Sequence, residues 1–472
     1  MHAIKVRSLQ GAVVSLSKQA LDDLQAHVRG QIVVPTDANY DELREIWNAM
    51  IDRRPGLIVR CSGTADVLRV VRFAKQHQLL ISVRGAGHNI AGKSLHDGAL
   101  LIDLGAMNTV RVDPEAKIAV AGPGATLGDV DHETQVYGLA VPTGINSTTG
   151  IAGLTLGGGF GWTSRSLGLT ADNLIAAEVV TAEGERLRCD ENEHADLFWA
   201  IRGGGGNFGV VTSFEFKLHA VGPVVMSGPI VFPFDQAKAV LHKYREFCAS
   251  CPDALTVWAV MRDAPPLPFL PPEVHGTKVL ILPAFYNGPL DAGEKALAAL
   301  RALGEPIGDG FGAYPFTGFQ QAFDPLLTPG ARNYWKSHNF TELSDGLIDT
   351  LIDYAGRLPS PQSEIFIAQM GGATNRVSPD ATAYPHRDVE FIMNVHTRWD
   401  TADQDSACMN WAREFYTATE PFATGGVYVN FISEGEDRVR SAYGNNYDRL
   451  SQVKAKYDPD NFFRLNQNVR PD

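Results

Sequence analysis

Hydrophobic and polar positions in the first half of the chain alternate between amphipathic stretches and short apolar runs. Apolar residues recur with helical spacing in three segments, 40–51, 64–77 and 126–137. Short apolar runs between polar segments predict buried strands at 56–61, 79–84, 99–104, 117–124 and 210–218. Residues 173–188 predict a hairpin that turns at Glu183 and Gly184. This order is mixed α and β, without a regular relay of parallel strands and helices.

The pattern changes at about residue 219. Strand-like segments (277–285, 363–370 and 389–398) alternate there with helical segments (289–303, 339–357 and 402–417). The proline-rich stretch 265–272 predicts a loop, because proline removes a backbone donor and fixes φ. We expect a second domain in which helices cover one side of an antiparallel sheet, so the fold class is α+β. A last helical stretch, 445–458, stops at Pro459 and fits either domain.

Length and charge narrow the classes of protein. The 472 residues allow two or three domains, and a hydrophobic content of 44% is ample for packed cores. The formal net charge of −13 argues against a general nucleic-acid binder, which needs a surplus of Lys and Arg. The first residues lack a secretory apolar region, and no window approaches 18 consecutive apolar residues. We expect a cytoplasmic protein without a membrane span.

Five cysteines are too few, and odd in number, for a disulfide framework. Cys248 and Cys251 form a lone CxxC near the end of a helical pattern. A redox or metal role would need a second pair or a thioredoxin-like context, so we interpret the pair as packed thiols.

Glycine is the informative residue type. Of the 46 glycines, fifteen fall within 85–92, 144–161 and 203–209. Dense glycine lets the backbone approach a ligand closely, and consecutive N–H groups can converge on an anion. A dinucleotide pyrophosphate is the obvious candidate ligand.

The third cluster matches G-x-G-x-x-G at Gly204, Gly206 and Gly209. A Rossmann site requires a strand before this motif and a helix after it. Here a helical stretch precedes the motif and a strand follows it, so we reject a Rossmann site. A P-loop is also rejected for this cluster, because no Gly-Lys-Ser or Gly-Lys-Thr follows it.

His88 lies in the first cluster, at the end of a predicted strand. A histidine beside glycines is by default a turn or structural residue. At this position, however, a nucleophilic imidazole could contact a cofactor ring or attach to it. Zinc is disfavoured, because the chain has no HExxH and no ligand pair at i, i+4 that includes His88; we expect no metal.

Four motifs in order resemble the berberine-bridge-enzyme-type FAD-linked oxidases, a branch of the vanillyl-alcohol-oxidase-like flavoproteins. They are RGAGHN, TTGIAGLTLGGGFG, RGGGGNFGVVT and the terminal YVNF…YDRLSQVKAKYDPDNFFRLNQN. The similarity runs from about residue 35 to the C-terminus and is strongest to the bacterial 6-hydroxynicotine-oxidase-like branch. It implies an FAD-binding domain (1–218), a substrate-binding domain (219–420) and a C-terminal segment (421–472) that returns to the FAD domain.

The resemblance also implies how FAD would be held. The family bonds a loop histidine covalently to the flavin methyl carbon, and the matching residue is His88. The implied cofactor-binding residues are Arg84, Gly85, Ala86, Gly87, Asn89, Gly144, Thr148, Thr149, Gly150, Gly153, Val211, Asn430, Asn466 and Gln467.

Two departures from the family pattern bear on chemistry. Many members attach the flavin a second time through a cysteine, but this chain has Asn146 at that position, so we expect one covalent bond. Many also carry YxNY, in which the second tyrosine is the general base; here the motif ends in Phe431. Either another residue accepts the proton or the substrate needs no strong base.

Candidate catalytic residues are polar groups on otherwise apolar strands of the substrate domain, together with the motif tyrosine. We select Tyr428, Gln369 and Asn394, and note His396 on the strand that carries Asn394. Tyr334 and Lys336 remain ambiguous between structural and pocket roles. Tyr428 is favoured because the motif places it near the cofactor.

The leading hypothesis is an FAD-dependent oxidase that transfers a hydride from a small amine, phenol or secondary metabolite to the flavin. O2 would accept the electrons and yield H2O2. Hydride loss beside a neutral amine gives an iminium ion directly, whereas an alcohol must also shed its hydroxyl proton. Two alternatives stay open: an oligosaccharide or alcohol oxidase of the same family, and a non-catalytic flavoprotein that sequesters a ligand.

Overall fold

Three sheets organise the chain, and the computed structural model describes residues 4–433, 435 and 438–472 of it. The first sheet has four strands, in the order Gln31–Val33, Leu57–Arg60, Leu100–Asp103 and Ile81–Arg84. Its last three strands are parallel, and they read as continuous apolar runs because both faces of the sheet are covered.

The second sheet has five strands and is wholly antiparallel. Its order is Arg186–Asp190, Leu174–Val180, Val210–Lys217, Ile118–Ala121 and Val110–Asp113. The helix Leu127–Gln135 comes after the strand Ile118–Ala121 in the chain. It begins with a capping box in which Thr126 and Asp129 satisfy each other's backbone N–H groups.

The third sheet has nine antiparallel strands and forms the second half of the molecule. Its main path is Gly308–Asp309, Val224–Pro233, Lys278–Tyr286, Ala259–Asp263, Glu364–Gln369, Phe391–Trp399 and Arg332–Phe340. Leu255–Val257 and Gly312–Pro315 pair beside this path. Two small pairs complete the strands, Ile4–Arg7 with Val13–Leu16 and Leu139–Ala140 with His219–Ala220.

Helices flank these sheets. In the described part of the chain the α-helices are Lys18–His27, Tyr40–Arg44, Thr64–Gln76, Leu127–Gln135, Ile151–Leu156, Ser164–Leu167, Ala195–Ile201, Ala237–Cys248, Leu290–Arg301, Phe316–Gln320, Asp345–Ala355, Asp405–Thr419, Val439–Tyr443 and Tyr447–Tyr457. Over the same residues we find no helix with the length and hydropathy needed to traverse a bilayer.

The α+β fold class is confirmed, and most predicted elements appear within a few residues of their expected bounds. The hairpin pairs Val180 with Arg186 around the expected turn. Two helix predictions are wrong in extent. The stretch 40–51 is helical only to Arg44, and the stretch 339–357 becomes helical only after the N-cap Ser344.

The two faces of the nine-stranded sheet have different neighbours. One face packs its apolar side chains against helices such as Ala237–Cys248, Asp345–Ala355 and Asp405–Thr419. The other face turns toward the first half of the molecule and carries polar and aromatic side chains. Side chains alternate along a strand, so this division decides which residues can reach a site between the two halves.

The C-terminal segment packs in the core of the five-stranded sheet, through residues such as Leu450 and Val453 beside Phe208. Lys454 fixes this arrangement, because its fully buried ammonium donates to the Asn207 and Phe463 carbonyls and to the Asp458 carboxylate at 2.6 Å. The third glycine cluster is thereby tied to the chain terminus.

Removal of the Lys454 ammonium would leave the Asp458 charge uncompensated in the core. We expect Lys454→Met to lower the free energy of unfolding by about 3–5 kcal/mol, measured by urea denaturation. Lys456→Met is the matched control: its ion pair with Asp196 is exposed, so the change is about 0–1 kcal/mol. Equal effects of the two substitutions would contradict this role of Lys454.

Candidate active site

The first glycine loop leaves the strand Ile81–Arg84 and borders a large cavity with residues 85–89. Gly87 adopts φ of +75°, a conformation that side chains disfavour. The chain thereby turns so that the His88 ring lies in the cavity wall.

The second glycine cluster lies against the first. A Cβ at Gly150 would stand 2.9 Å from the Ala86 Cβ, so glycine is required for this close approach. The short helix Ile151–Leu156 follows, and Gly153 on its first turn has open space toward the cavity.

The third cluster closes the same cavity from another side. Gly206 also borders open space there, and Val211 lines the cavity from the next strand. The terminal loop meets this cluster, because Asn466 Nδ2 donates to the Gly206 carbonyl at 3.0 Å and Asn207 Nδ2 donates to the Gln467 carbonyl at 3.1 Å. A helix precedes the motif and a strand follows it, the reverse of the Rossmann order.

His88 is held by two threonines and a tryptophan. Its Nε2 lies 3.0 Å from Thr148 Oγ1, its Nδ1 lies 3.5 Å from Thr149 Oγ1, and its ring stacks on Trp47 with centroids 5.4 Å apart. Burial lowers the pKa of His88 to about 4, so the imidazole is neutral at pH 7.

The hydrogen bonds around Thr148 indicate which tautomer His88 adopts. The Thr148 hydroxyl donates to Asn146 Oδ1 at 2.6 Å, and that oxygen also accepts from the Thr148 N–H. With its own proton engaged, Thr148 Oγ1 accepts from His88, so the ring proton is on Nε2 and Nδ1 carries the lone pair, 3.5 Å from Thr149 Oγ1.

Trp47 connects His88 to the second half of the molecule. Its indole N–H donates to the Leu327 carbonyl at 2.8 Å, and the Arg398 guanidinium lies 5.5 Å from its ring. The next residue, Asn48, bridges the Ile90 and Asn333 carbonyls. These tertiary bonds explain why the predicted helix stops at Arg44: residues 47 and 48 are committed to contacts outside it.

Tyr428 points its hydroxyl at the second glycine cluster. The phenolic oxygen accepts from the Gly159 N–H at 3.1 Å and from Asn430 Nδ2 at 2.9 Å. Burial raises the pKa of Tyr428 to about 12 against these two hydrogen bonds, so the hydroxyl stays protonated. With both acceptor positions engaged, its own proton is left to donate.

The nine-stranded sheet supplies the opposite wall. Glu364, Asn394 and His396 border the cavity from neighbouring strands. Burial alone would raise the pKa of Glu364, but Arg262 at 2.6 Å and His396 at 3.2 Å outweigh it and lower the pKa to about 2. Burial lowers the pKa of His396, with Glu364 opposing the shift.

Several predicted site residues lie elsewhere. Gln369 is wrong as a catalytic candidate: strand alternation places it on the helix side, where it bonds the Val257 N–H and Cys251 Sγ. The Arg84 side chain turns from the cavity to pair with Asp103 at 3.1 Å, because a buried guanidinium needs a carboxylate. Tyr334 also belongs to the helix-side core, and the Lys336 ammonium lies over its ring.

The remaining predicted residues come together. Those that border the cavity are Gly85, Ala86, Gly87, His88, Asn89, Gly144, Thr149, Gly150, Gly153, Val211, Asn394, Tyr428, Asn430, Asn466 and Gln467. Thr148 reaches the site through its hydrogen bond to His88. Sequence reasoning missed Trp47 and Glu364, although the period-two pattern around Phe366 could have placed Glu364 on the cavity face.

The shape and chemistry of the cavity suit FAD. Its volume is about 690 Å³, with backbone of all three glycine clusters along one side. A Cβ at Gly153 or Gly206 would project into that space. Ser82, Ser94 and Asn466 border it with buried oxygens that lack a partner among the described residues, as expected of groups that bind a polar ligand.

Comparison with known proteins gives two family matches. Residues 55–190 match an FAD binding domain, and residues 427–470 match the berberine and berberine-like family.

Two relatives align with this chain over nearly its whole length. An FAD-linked oxidoreductase of Dictyostelium discoideum is 32% identical over 428 residues, covering 90% of this chain and 91% of its own. The (R)-6-hydroxynicotine oxidase of Paenarthrobacter nicotinovorans is 30% identical over 462 residues, covering 94% and 97%.

Solved structures agree. The 6-hydroxy-D-nicotine oxidase of Arthrobacter nicotinovorans superposes with a TM-score of 0.84 at 28% identity, covering 94% of this chain and 98% of its own. Berberine bridge enzyme of Eschscholzia californica shares the fold, with a TM-score of 0.85 at 23% identity and coverage of 96% and 99%.

A side chain at Gly206 would compete with the cofactor for the cavity. We expect Gly206→Val to weaken FAD binding at least about tenfold, while the thermal midpoint of the flavin-free protein stays unchanged. Flavin content after gel filtration measures the first effect. Gly63→Val is the control, because Gly63 also has open space beside it but lies outside the cavity. Unaltered flavin content in Gly206→Val would contradict the assignment of this cavity to FAD.

Proposed function

Because this chain belongs to the family of FAD-linked oxidoreductases that includes the berberine-like enzymes, we propose that it is an oxidase of a small organic substrate with a neutral nitrogen. The observation that carries the proposal is the geometry of His88. A neutral imidazole whose Nδ1 carries the lone pair lies in the wall of the cavity that the three glycine clusters line. When bound, FAD supplies the hydride acceptor and passes the electrons on, in our proposal to O2 with release of H2O2.

We assign His88 Nδ1 as the atom that bonds the flavin. A nucleophile must present a lone pair, and Thr148 keeps the only ring proton on the other nitrogen. Trp47 stacks on the ring and restricts its rotation. Asn146 stands where a second attachment would need a thiolate, and its Oδ1 is committed to Thr148. One covalent bond is therefore proposed.

The side chains around the substrate suit a reaction that needs no strong base. Tyr428 is a hydrogen-bond donor with a raised pKa, and Phe431 has no proton acceptor. Glu364 is ionised but weakly basic, because Arg262 and His396 stabilise its charge. Loss of a hydride from carbon beside a neutral nitrogen requires no such base, whereas oxidation of a sugar hydroxyl does. This favours the amine hypothesis over an oligosaccharide oxidase.

The residues then have distinct roles. The glycine loops bind the cofactor through backbone N–H groups, and His88 fixes its position. Tyr428 donates its proton into the cavity beside Asn430, and the substrate-domain sheet covers the reacting carbon and excludes water.

The Thr148 hydroxyl is expected to control attachment. Thr148→Val removes the acceptor of the His88 Nε2 proton and should slow covalent incorporation of FAD into flavin-free protein about five- to tenfold. The ratio of acid-stable to acid-released flavin over time measures it. Thr148→Ser should restore the rate, and Thr149→Val should slow it less, because its oxygen is 3.5 Å from Nδ1. A wild-type rate in Thr148→Val would refute the tautomer assignment.

The pH dependence of flavin reduction tests the absence of a base. Among cavity groups, the pKa of Glu364 is about 2, that of His88 about 4 and that of Tyr428 about 12, so none of these three titrates between pH 5 and 9. Burial lowers the pKa of His396 below its ordinary value, so its imidazole is already neutral at pH 7 and above. Anaerobic reduction should rise with pH only as the substrate amine loses its proton. For two amines of different pKa, the inflection of the reduction rate against pH should follow the pKa of each amine. A fixed inflection, or faster reduction by oligosaccharides, would contradict the proposal.

A further inference from the structure

We propose that the substrate is an uncharged, mainly aromatic molecule with one polar end that both donates and accepts hydrogen bonds, and that Asn394 binds this end. The inference deepens the proposed oxidase function and rests on it.

Asn394 is the anchor. Its residue is fully buried and borders the cavity, yet within the described part of the chain neither its amide nitrogen nor its amide oxygen has a hydrogen-bond partner. Buried amides are nearly always paired, so this one is set up for a ligand. An amide donates and accepts at once, and its complement is a hydroxyl, a lactam or a neutral N–H group.

Aromatic edges surround this anchor. Asn394 lies directly opposite Phe366 on the neighbouring strand, and Phe366 contacts Phe431 with centroids 6.0 Å apart. Trp335 meets Phe431 from the other side at 5.5 Å, and its indole N–H also lacks a partner in the part of the chain that the structure describes. The polar end of a ligand would thus be bound beside the C-terminal motif, close to Tyr428, which contacts Phe431 at 4.9 Å.

On this sheet face, the charged groups that border the cavity neutralise each other. Arg262 and Glu364 are paired at 2.6 Å, both side chains nearly buried, and His396 bonds the second carboxylate oxygen. A charged substrate group would lose its hydration against this face without gaining a free countercharge. The face therefore selects an uncharged polar end.

The rest of the wall is aromatic. Trp162 and Trp258 lie 4.5 Å apart, Phe319 packs on Trp162 at 5.1 Å, and Trp258 stacks on Phe366 at 5.6 Å. The proline-rich loop adds Leu267 and Phe269 to the same cavity.

This wall has few acceptors. The indole N–H groups of Trp162 and Trp258 lack partners among the described residues, so they offer donors to an acceptor atom on an aromatic body. A sugar would bring many hydroxyl donors to a surface that leaves them unpaired.

Binding to the FAD-loaded protein tests the substrate class without any variant. The probes are 2-naphthol, 6-hydroxy-2-naphthoate and xylobiose, each titrated anaerobically against oxidised flavin and followed by flavin absorbance and calorimetry. We expect 2-naphthol to bind at least about tenfold more tightly than the carboxylate, and xylobiose to bind weakest. Tighter binding of either xylobiose or the carboxylate would overturn the inference.

The role of Asn394 is tested by comparing 2-naphthol with naphthalene. Asn394→Leu should raise the dissociation constant of 2-naphthol about tenfold and change that of naphthalene by no more than about twofold. Asn410→Leu, an exposed position in the same domain, is the control and should change neither. Equal changes for both probes would refute the anchor. Asn394→Ser is a second variant for the case that Asn394→Leu does not fold. It should also weaken the binding of 2-naphthol more than that of naphthalene.

Flavin content is measured in the same samples and separates the two proposals. Protein that binds no FAD would refute the proposed oxidase. Protein with normal flavin content but the reverse probe order would refute the substrate class alone.

Discussion

The site depends on the close approach of two backbone loops. Gly150 has no side chain, which lets its loop lie against Ala86 where a Cβ would stand 2.9 Å from another. That approach places Thr148 within hydrogen-bond distance of His88, and Asn146 then fixes the direction of the Thr148 proton. The absence of a side chain at Gly150 thus helps to set the protonation state of His88, the nucleophile that we assign to the flavin.

The second domain is built around the same point. Trp47 stacks on His88 while its indole N–H reaches the Leu327 carbonyl, and Arg398 covers the tryptophan from the sheet. Trp47 therefore contacts both His88, which we assign as the flavin attachment site, and the sheet that we assign to the substrate. Movement of the sheet would be felt at His88 through Trp47, because packed aromatic and hydrogen-bonded contacts transmit strain.

The sequence predicted much of this because glycine density and strand period are local properties. Three clusters spread over residues 85–209 converge on one cavity, as their shared chemistry indicated. Which side chains of a strand face the cavity was harder to predict. Gln369 lies on the helix side, while Glu364 lies on the cavity side of the same strand.

Among the elements that escaped prediction, two strands and one helix end did so for separate physical reasons. Arg332–Phe340 is polar on both faces, one toward the cavity side and one toward Tyr416, so no alternation was visible. Gly228 and Pro229 interrupt the apolar run of Val224–Pro233. The end of the helix at Arg44 depends on tertiary hydrogen bonds of Asn48 that no local pattern encodes.

The central claim is that His88 alone anchors the flavin. Proteolysis of acid-denatured protein followed by mass spectrometry tests it directly. We expect the mass of the peptide that contains His88 to be increased by that of the flavin, and the peptides with Asn146 and with the five cysteines to be unmodified. Complete release of free FAD into the acid supernatant, or flavin mass on a cysteine peptide, would contradict it.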